Sequence, residues 1–262
     1  MGSILVFLLP DLPGAAHLVL QTLWLVGVWL VLTWQVVRLL CNNAHLVFAR
    51  LGWRTAKAPA SYVRALFDDY AERFDQHLMV ELAYTAPNLV RGVIGQRLDG
   101  SAPVVVDLGC GTGICGPLFR PLAEQLIGVD LSPAMLKIAQ KRKVYDALIE
   151  ADIVQYMRQH KGEFDLCFAA DVLVYLGDLR PLLTASAVAL KPGAYLAFTV
   201  ESTAQPNWVL QRTGRYAHSR GYIQALARQC EFEIAALEQA TLRIQGDKPV
   251  LGDVWLLHRS GV

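Results

Sequence analysis

Apolar positions change their spacing several times along this chain, and each change marks a different kind of element. From position 12 to 37 there are 26 residues without one Asp, Glu, Lys or Arg. About 20 such residues suffice to cross the hydrocarbon core of a bilayer, so this stretch is expected to be a hydrophobic helix, with Pro13 where a helix can begin. Next, Val63, Leu66, Phe67, Tyr70, Ala71, Phe74 and Leu78 recur at steps of three and four. That is the spacing of an amphipathic helix, here over 61–80 with Ser61 as its cap. A second helix is expected over 88–98. Beyond it, short apolar runs at 104–108, 126–130, 147–150, 164–169 and 195–200 alternate with helix-length segments. Such runs read as strands buried on both faces, and their alternation implies a parallel sheet with helices on either side. After Pro206 the pattern gives a helix over 219–229 and two strand-like runs, 231–242 and 250–258, joined at Gln245-Gly-Asp-Lys248. These close one edge as an antiparallel hairpin. The expected fold class is α/β: a doubly wound, seven-stranded sheet, mostly parallel, preceded by a hydrophobic helix.

The flanks of the apolar stretch refine this picture. Arg38, Arg50, Arg54 and Lys57 follow it and only Asp11 precedes it, so the positive-inside rule puts the C-terminal bulk in the cytoplasm. A cleaved signal peptide fits less well, because Met1-Gly-Ser carries no charge and the run exceeds a usual h-region. Two regions are therefore expected. Residues 1–58 form a hydrophobic segment, with a candidate membrane helix at 12–37, and a linker; residues 59–262 form a domain whose first helices, 61–98, cap it. The expected location is the inner or plasma membrane with the domain in the cytoplasm, or simply the cytoplasm if the segment is a docked helix. From Ser61 onward the 20 basic and 22 acidic residues make an ordinary soluble surface.

Composition narrows the chemistry. With 54% hydrophobic and 18% charged residues, the chain is too apolar to be disordered. A net charge of +1 offers no field to attract a polyanion, so no nucleic-acid partner is expected. The five cysteines are odd in number and include no C-x-x-C, which argues against a disulfide framework and against a metal site.

The candidate site begins where the first strand runs into Asp107-Leu-Gly109-Cys110-Gly111-Thr-Gly113. Glycines there let the backbone turn tightly and approach a ligand, and the N–H groups of the following helix point at it. Asp130, ending the second strand, is placed to accept from two vicinal ribose hydroxyls. At this point the sequence resembles the class I S-adenosylmethionine-dependent methyltransferases, through VVVDLGCGTG, IGVDLSPAML and FDLCFAADVLVYL in that order. It also resembles the methyltransferase module of bacterial tetratricopeptide-repeat proteins, through YVRALFDDYAERFDQHL and RYAHSRGYIQAL, although the repeats are missing.

The resemblance implies a Rossmann-like fold and S-adenosyl-L-methionine as cofactor. It further implies that the loop from Asp107 to Gly113 holds the methionine part, with Asp107 engaging its ammonium directly or through water, and that Leu131 and Met135 flank the adenine. Asp152 would accept from the adenine amine, with Ile153 packed on the ring, and Asp171 would stand beside the donor methyl. Tyr70 and Arg73 would lie near the methionine carboxylate, and Phe74 would close the pocket. Three of these have a plainer alternative: Asp152 as a turn residue, Asp171 as a helix cap, Arg73 as the partner of Asp69 on a helix surface.

Methyl transfer from a sulfonium is a direct displacement, so a base is needed only for an acceptor that is protonated at neutral pH. His218, in the segment after the fifth strand, is the leading candidate, against the alternative of a surface or capping histidine. Tyr216 and Tyr175, with Tyr222, are candidates to orient the acceptor. The expected function is methyl transfer to a small-molecule or lipid-like acceptor at the cytoplasmic face of a membrane. Two alternatives stay open: a membrane-tethered assembly factor or sensor that keeps the fold without the reaction, and a nicotinamide-dependent oxidoreductase. The latter uses G-x-G-x-x-G, whereas the glycines here are spaced G-x-G-x-G.

Overall fold

The computed structural model describes residues 14–76, 84–95, 97, 103–246 and 248–261, with side chains at 21–34 and from 44 onward. The chain divides into two compact units, Met1–Ala44 and His45–Val262. Helix α1 (Gly14–Leu51) opens in the first unit and ends in the second. In the first unit its described side chains are nearly all exposed, Trp24, Trp29 and Trp34 among them. Among the described residues no helix is long and apolar enough to cross a membrane. The described side chains of the expected span cover 21–34. The rest of 12–37 lies outside the described side chains. The expected anchor, with the membrane partner and location that rested on it, is therefore not supported.

The second unit carries the domain. Helix α2 (Ala60–Gln76) turns its apolar stripe inward, and α3 (Ala86–Ile94) follows, with Val90, Val93 and Ile94 buried. The ends expected at 77–80 and at 98 lie outside the described residues. Then come β1 (Val104–Leu108), α4 (Gly116–Phe119), β2 (Gln125–Asp130), α5 (Pro133–Arg142), β3 (Ala147–Glu150), α6 (Ile153–Arg158) and β4 (Phe164–Ala169). After them run α7 (Arg180–Ala189), β5 (Leu190–Ser202), β6 (Trp208–Leu210), β7 (Tyr216–His218), α8 (Arg220–Gln229), β8 (Phe232–Gln245) and β9 (Lys248–Arg259).

The strands form one sheet in the order β3-β2-β1-β4-β5, all parallel. β9 pairs antiparallel with β5 and with β8, closing the expected hairpin edge. The sheet has nine strands among the described residues rather than seven. The extra two are β6 and β7, which pair with each other, β7 extending the carboxyl end of β5 at Glu201 and Ser202. Three-residue strands leave too little pattern for a period of two to be visible. β5 also begins five residues earlier than its apolar run suggests, at Leu190 beside Phe164, across an irregularity in the pairing with β4.

Alternation along each strand distributes the core to the two faces. Val106 and Leu108 of β1, Phe198 of β5 and Trp255 of β9 pack on one side with Leu182 and Leu183 of α7. Val105, Leu126, Phe168, Val254 and Leu256 pack on the other with Phe119 and Ile94, where the rings of Phe119 and Phe168 stack at 3.7 Å. Helix starts are fixed locally: Ser132 accepts from the Met135 N–H at the head of α5, with Pro133 at its first position, and Ser219 accepts from the Tyr222 N–H at the head of α8. The result is that β1 to β4 all end at one edge of the sheet, the edge where such folds bind ligands.

Gly252 of β9 stands opposite Glu201 of β5. A Cβ there would run into the Val200 carbonyl and the Leu242 side chain, and the backbone carbonyl cannot step aside without breaking the pairing. Gly252→Ala should therefore lose about 1–3 kcal/mol, read from the urea midpoint at unchanged slope; parental stability would mean that β9 can shift on β5.

Candidate functional site

The site is built from the turn that follows β1. Gly109 has φ +76°, and a Cβ there would lie 2.5 Å from a methyl of Val172, so only glycine lets the turn pass under the segment after β4. The N–H groups of Gly109 and Cys110 donate to the Val129 carbonyl at 2.7 and 3.0 Å. Asp130 completes the turn, its Oδ2 accepting from the Gly111 N–H and its Oδ1 from the Ser132 N–H, both at 2.8 Å. Burial raises the Asp130 carboxyl above its ordinary range, and these N–H donors oppose the rise.

Asp107 lies beneath the loop, 1% exposed, and accepts from the Tyr145 hydroxyl at 2.7 Å. Burial pushes its carboxyl up to about 7, and the Tyr145 bond offsets only part of that. Tyr145 carries no signal in the sequence. Its place under the loop is visible only once Gly113, Gly116 and Gly128 are seen to leave room for its ring.

A cavity of about 610 Å³ opens over the loop. α2 covers it with Leu66, Phe67, Tyr70 and Phe74, and the carboxyl ends of β2, β3 and β4 supply Asp130 and Leu131, Asp152 and Ile153, and Asp171. α2 is fastened across this edge by polar contacts. Asp68 accepts from the Ser132 hydroxyl at 2.5 Å, Arg64 pairs with Glu150 at 2.7 Å, and Asp75 binds both the Thr112 hydroxyl and Arg142.

Of the residues singled out by the sequence, Gly109, Gly111, Asp130, Leu131, Asp152, Ile153, Asp171, Tyr70, Phe74 and Tyr175 line this cavity. Asp152 also caps α6, its Oδ1 accepting from the N–H groups of Val154 and Gln155 at 3.0 and 3.1 Å. Asp107, Cys110 and Met135 are buried, and with Gly113 they do not line the cavity. Arg73 is exposed on α2, away from the lining.

The two leading catalytic candidates are not brought to the cavity. Tyr216 is fully buried in a small cluster with Ala49, Ala58 and Leu210, its hydroxyl against Thr55. His218 is also fully buried, its Nε2 lying 2.9 and 3.0 Å from the carbonyl oxygens of Leu176 and Gly177. β7 is paired on both sides, by β5 and β6, which turns the imidazole inward rather than to the rim. Burial lowers the His218 pKa to about 4. The ring is neutral and donates to carbonyls, the opposite of a general base.

What the sequence did not signal is a charged wall. Arg243 of β8, 2% exposed, donates to Asp171 Oδ1 at 2.9 Å and to Glu201. Gln211 donates to Glu201 Oε2 at 2.6 Å. Arg215, just before β7, approaches Asp171 at 3.3 Å and Glu201 at 3.6 Å, with its guanidinium 5.9 Å from the Tyr175 ring centre. Asp171 has φ +58°, and its N–H is held by the Thr199 hydroxyl at 2.8 Å. Its carboxylate faces two arginines rather than capping a helix.

Residues 106–198 match the family model of a methyltransferase domain. The chain is 28% identical over 137 residues to a malonyl-[acyl-carrier protein] O-methyltransferase of Pseudescherichia vulneris, covering 52% of each chain. It is likewise 28% identical over 127 residues to a ubiquinone biosynthesis O-methyltransferase of Thiobacillus denitrificans, covering 45% of this chain and 54% of that protein. The chain thus spans about half the length of the curated relatives it matches. Among solved structures it is similar to the 1,6-didemethyltoxoflavin-N1-methyltransferase of Burkholderia thailandensis, which holds 1,6-didemethyltoxoflavin and S-adenosylhomocysteine. That likeness has a TM-score of 0.60 at 16% identity and covers 79% of this chain and 92% of that one. At this identity it establishes the fold.

The two buried titrating groups oppose each other. Asp107, with its folded pKa raised to about 7 from 3.8, makes the folded chain the better proton binder between those values, so its contribution to stability falls as pH rises. His218, lowered to about 4 from 6.5, makes the unfolded chain the better binder, so its contribution rises over that interval. Asp107→Asn removes only the falling limb. In ligand-free protein the stability gained by this variant should grow from pH 4 to 7 and stay constant above. At about 1.4 kcal/mol per pH unit its ceiling is about 4 kcal/mol. A difference that does not depend on pH in urea unfolding at pH 4.5, 5.5, 6.5 and 7.5 would show that Asp107 is ionised throughout.

Proposed function

We propose, starting from a methyltransferase domain whose cofactor is S-adenosylmethionine, that this chain transfers a methyl group to an oxygen of a small-molecule or lipid-like acceptor held in the cavity under α2. The observation that carries the reading is the glycine turn tied to Asp130 and opening onto that cavity. The residues present fit the cofactor. A Cβ at Gly111 would meet nothing nearer than Phe74, at 3.7 Å, leaving a backbone cradle, and Asp130 lies at its rim with oxygens able to accept beyond their two N–H donors. In this reading Asp130 takes the ribose hydroxyls, Leu131 and Ile153 pack on the adenine, and Asp152 takes its amine. Tyr70 and Phe74 close the methionine end. Asp107 acts through the loop above it rather than by touching the ammonium.

When bound, the cofactor supplies a methyl activated by a positive sulfur. The chain then has to orient the acceptor and exclude water, which is the work of the apolar face of α2 and of Tyr175. The names of the two curated relatives support oxygen as the acceptor atom. The segments that resemble the methyltransferase module of tetratricopeptide-repeat proteins, 62–78 and 215–226, supply α2 and Arg215, both of which line the cavity.

Calorimetry on the chain should show binding of S-adenosylhomocysteine and no heat with NAD. Asp130→Ala should weaken the former by about 1.5–3 kcal/mol, the worth of hydrogen bonds to a charged acceptor, which is roughly tenfold to 150-fold. Unchanged affinity would remove Asp130 from the ribose. Binding without methyl transfer to any component of a cell extract would favour a sensor that keeps the fold.

A further inference from the structure

The wall that faces the acceptor side of the cavity divides its two arginines into different kinds. Arg243 also lines the cavity, but it is only 2% exposed and holds both carboxylates by direct bonds, one to Asp171 and one to Glu201. Arg215 is 24% exposed at its side chain, lines the cavity, and reaches the same carboxylates only at 3.3 and 3.6 Å, in both cases through Nη1. Its Nε and Nη2 donate to nothing among the described residues. Beside it the Tyr175 hydroxyl is also without a protein partner among the described residues, and burial pushes that hydroxyl up to about 12, so it serves as a donor. One guanidinium edge and one phenol of the cavity lining are thus left without a partner among the described residues.

Among the described residues the lining contains no histidine and no cysteine. Asp130 and Asp152 are engaged by backbone N–H groups, Asp171 by two guanidinium groups, and Tyr84 donates to the Ala170 carbonyl at 3.2 Å. Lys57 pairs with Asp152 at 3.5 Å, and Asp69 stands exposed at the mouth. Asp69 at the mouth apart, every carboxylate of this lining is already engaged, and none of the engaged ones is set up to take a proton from a hydroxyl, a phenol or an ammonium, groups that keep their protons at neutral pH. An acceptor that arrives already ionised needs no such group.

We propose that the acceptor is a hydrophobic carboxylic acid, bound as its carboxylate by Arg215 and Tyr175 and methylated on that carboxylate. The inference rests on the methyl-transfer reading above. A planar guanidinium edge matches a carboxylate with two parallel bonds, and Val63, Leu66 and Phe67 of α2 give the apolar body its wall. A lone pair on a carboxylate oxygen forms the bond to the methyl carbon as the carbon–sulfur bond breaks, its electron pair going to sulfur. Carboxylate and sulfonium charges cancel, and no proton is gained or lost. Arg243 is the positioning residue: its direct bonds fix Asp171 and Glu201, so Arg215 meets them only through Nη1 and keeps its remaining N–H donors for the acceptor.

The test incubates the chain with methyl-labelled S-adenosylmethionine and a small-molecule extract, then treats the products with dilute alkali. A methyl ester releases its label as volatile methanol, whereas ethers and N-methyl products do not. The expected result is base-labile label that falls roughly tenfold to a hundredfold in Arg215→Ala and less in Arg215→Lys, with S-adenosylhomocysteine affinity and melting temperature kept. The acid recovered by hydrolysing the ester then serves as a binding probe. Its affinity for the S-adenosylhomocysteine-loaded chain should fall in the same order across the two variants. Label only in base-stable products, or label indifferent to Arg215→Ala, overturns the carboxylate acceptor while leaving methyl transfer standing; no label at all overturns both. Failure to bind S-adenosylhomocysteine is a separate result and removes the methyl-transfer reading itself.

Discussion

The carboxylate of Asp130 is the constraint on which the rest of the site depends. It ends β2, yet its two oxygens are held by the N–H groups of Gly111 and Ser132, so a single side chain sets the glycine turn after β1 and the entry of α5. Burying an ionised carboxylate is costly unless donors replace its water. Two backbone donors do so here, and the cost of burying the charge becomes a reason for the turn to stay in one conformation. Everything that lines the cavity floor hangs from that joint: Leu131 next to it, Gly109 beneath Val172, and α2, whose Asp68 reaches the same Ser132.

The opposite wall solves a similar problem with charges of both signs. Asp171 and Glu201 are too buried to stand alone, and Arg243 satisfies them from a strand on the far side of β9. Pairs of this kind add little net stability because desolvation consumes the attraction. Their effect is geometric: Asp171 is fixed with its backbone in a left-handed conformation, its N–H held by Thr199. A wall that is neutral when empty carries no penalty for a missing ligand.

Much of this was legible in the chain. β1 and β4 lie where their apolar runs put them, because a strand buried on both faces has to be apolar throughout and so announces itself; β3, half-buried at the sheet's edge, coincides with its run as well. The loop, Asp130, Asp152 and Asp171 were legible because a turn at the end of a parallel strand has few workable sequences. Arg215, Arg243 and Tyr145 were not. In sequence, an arginine in an alternating strand such as β8 reads as its solvent side, and only the packing of β8 against β9 and β5 reveals that its partners are buried acids. His218 misled for the converse reason: a histidine after the fifth strand reads as a rim residue until β6 and β7 are seen to pair around it and enclose the ring.

The fastening of α2 responds to salt. Arg64 with Glu150 and Asp75 with Arg142 are partly exposed pairs, and pairs of that kind are each worth about 0–1 kcal/mol and are screened by salt. The covering helix is thus held by several weak, water-accessible contacts along its length rather than by one strong one. Rising ionic strength therefore weakens these two fastenings of the cover, while the bonds of the glycine turn, made between buried groups, are screened far less.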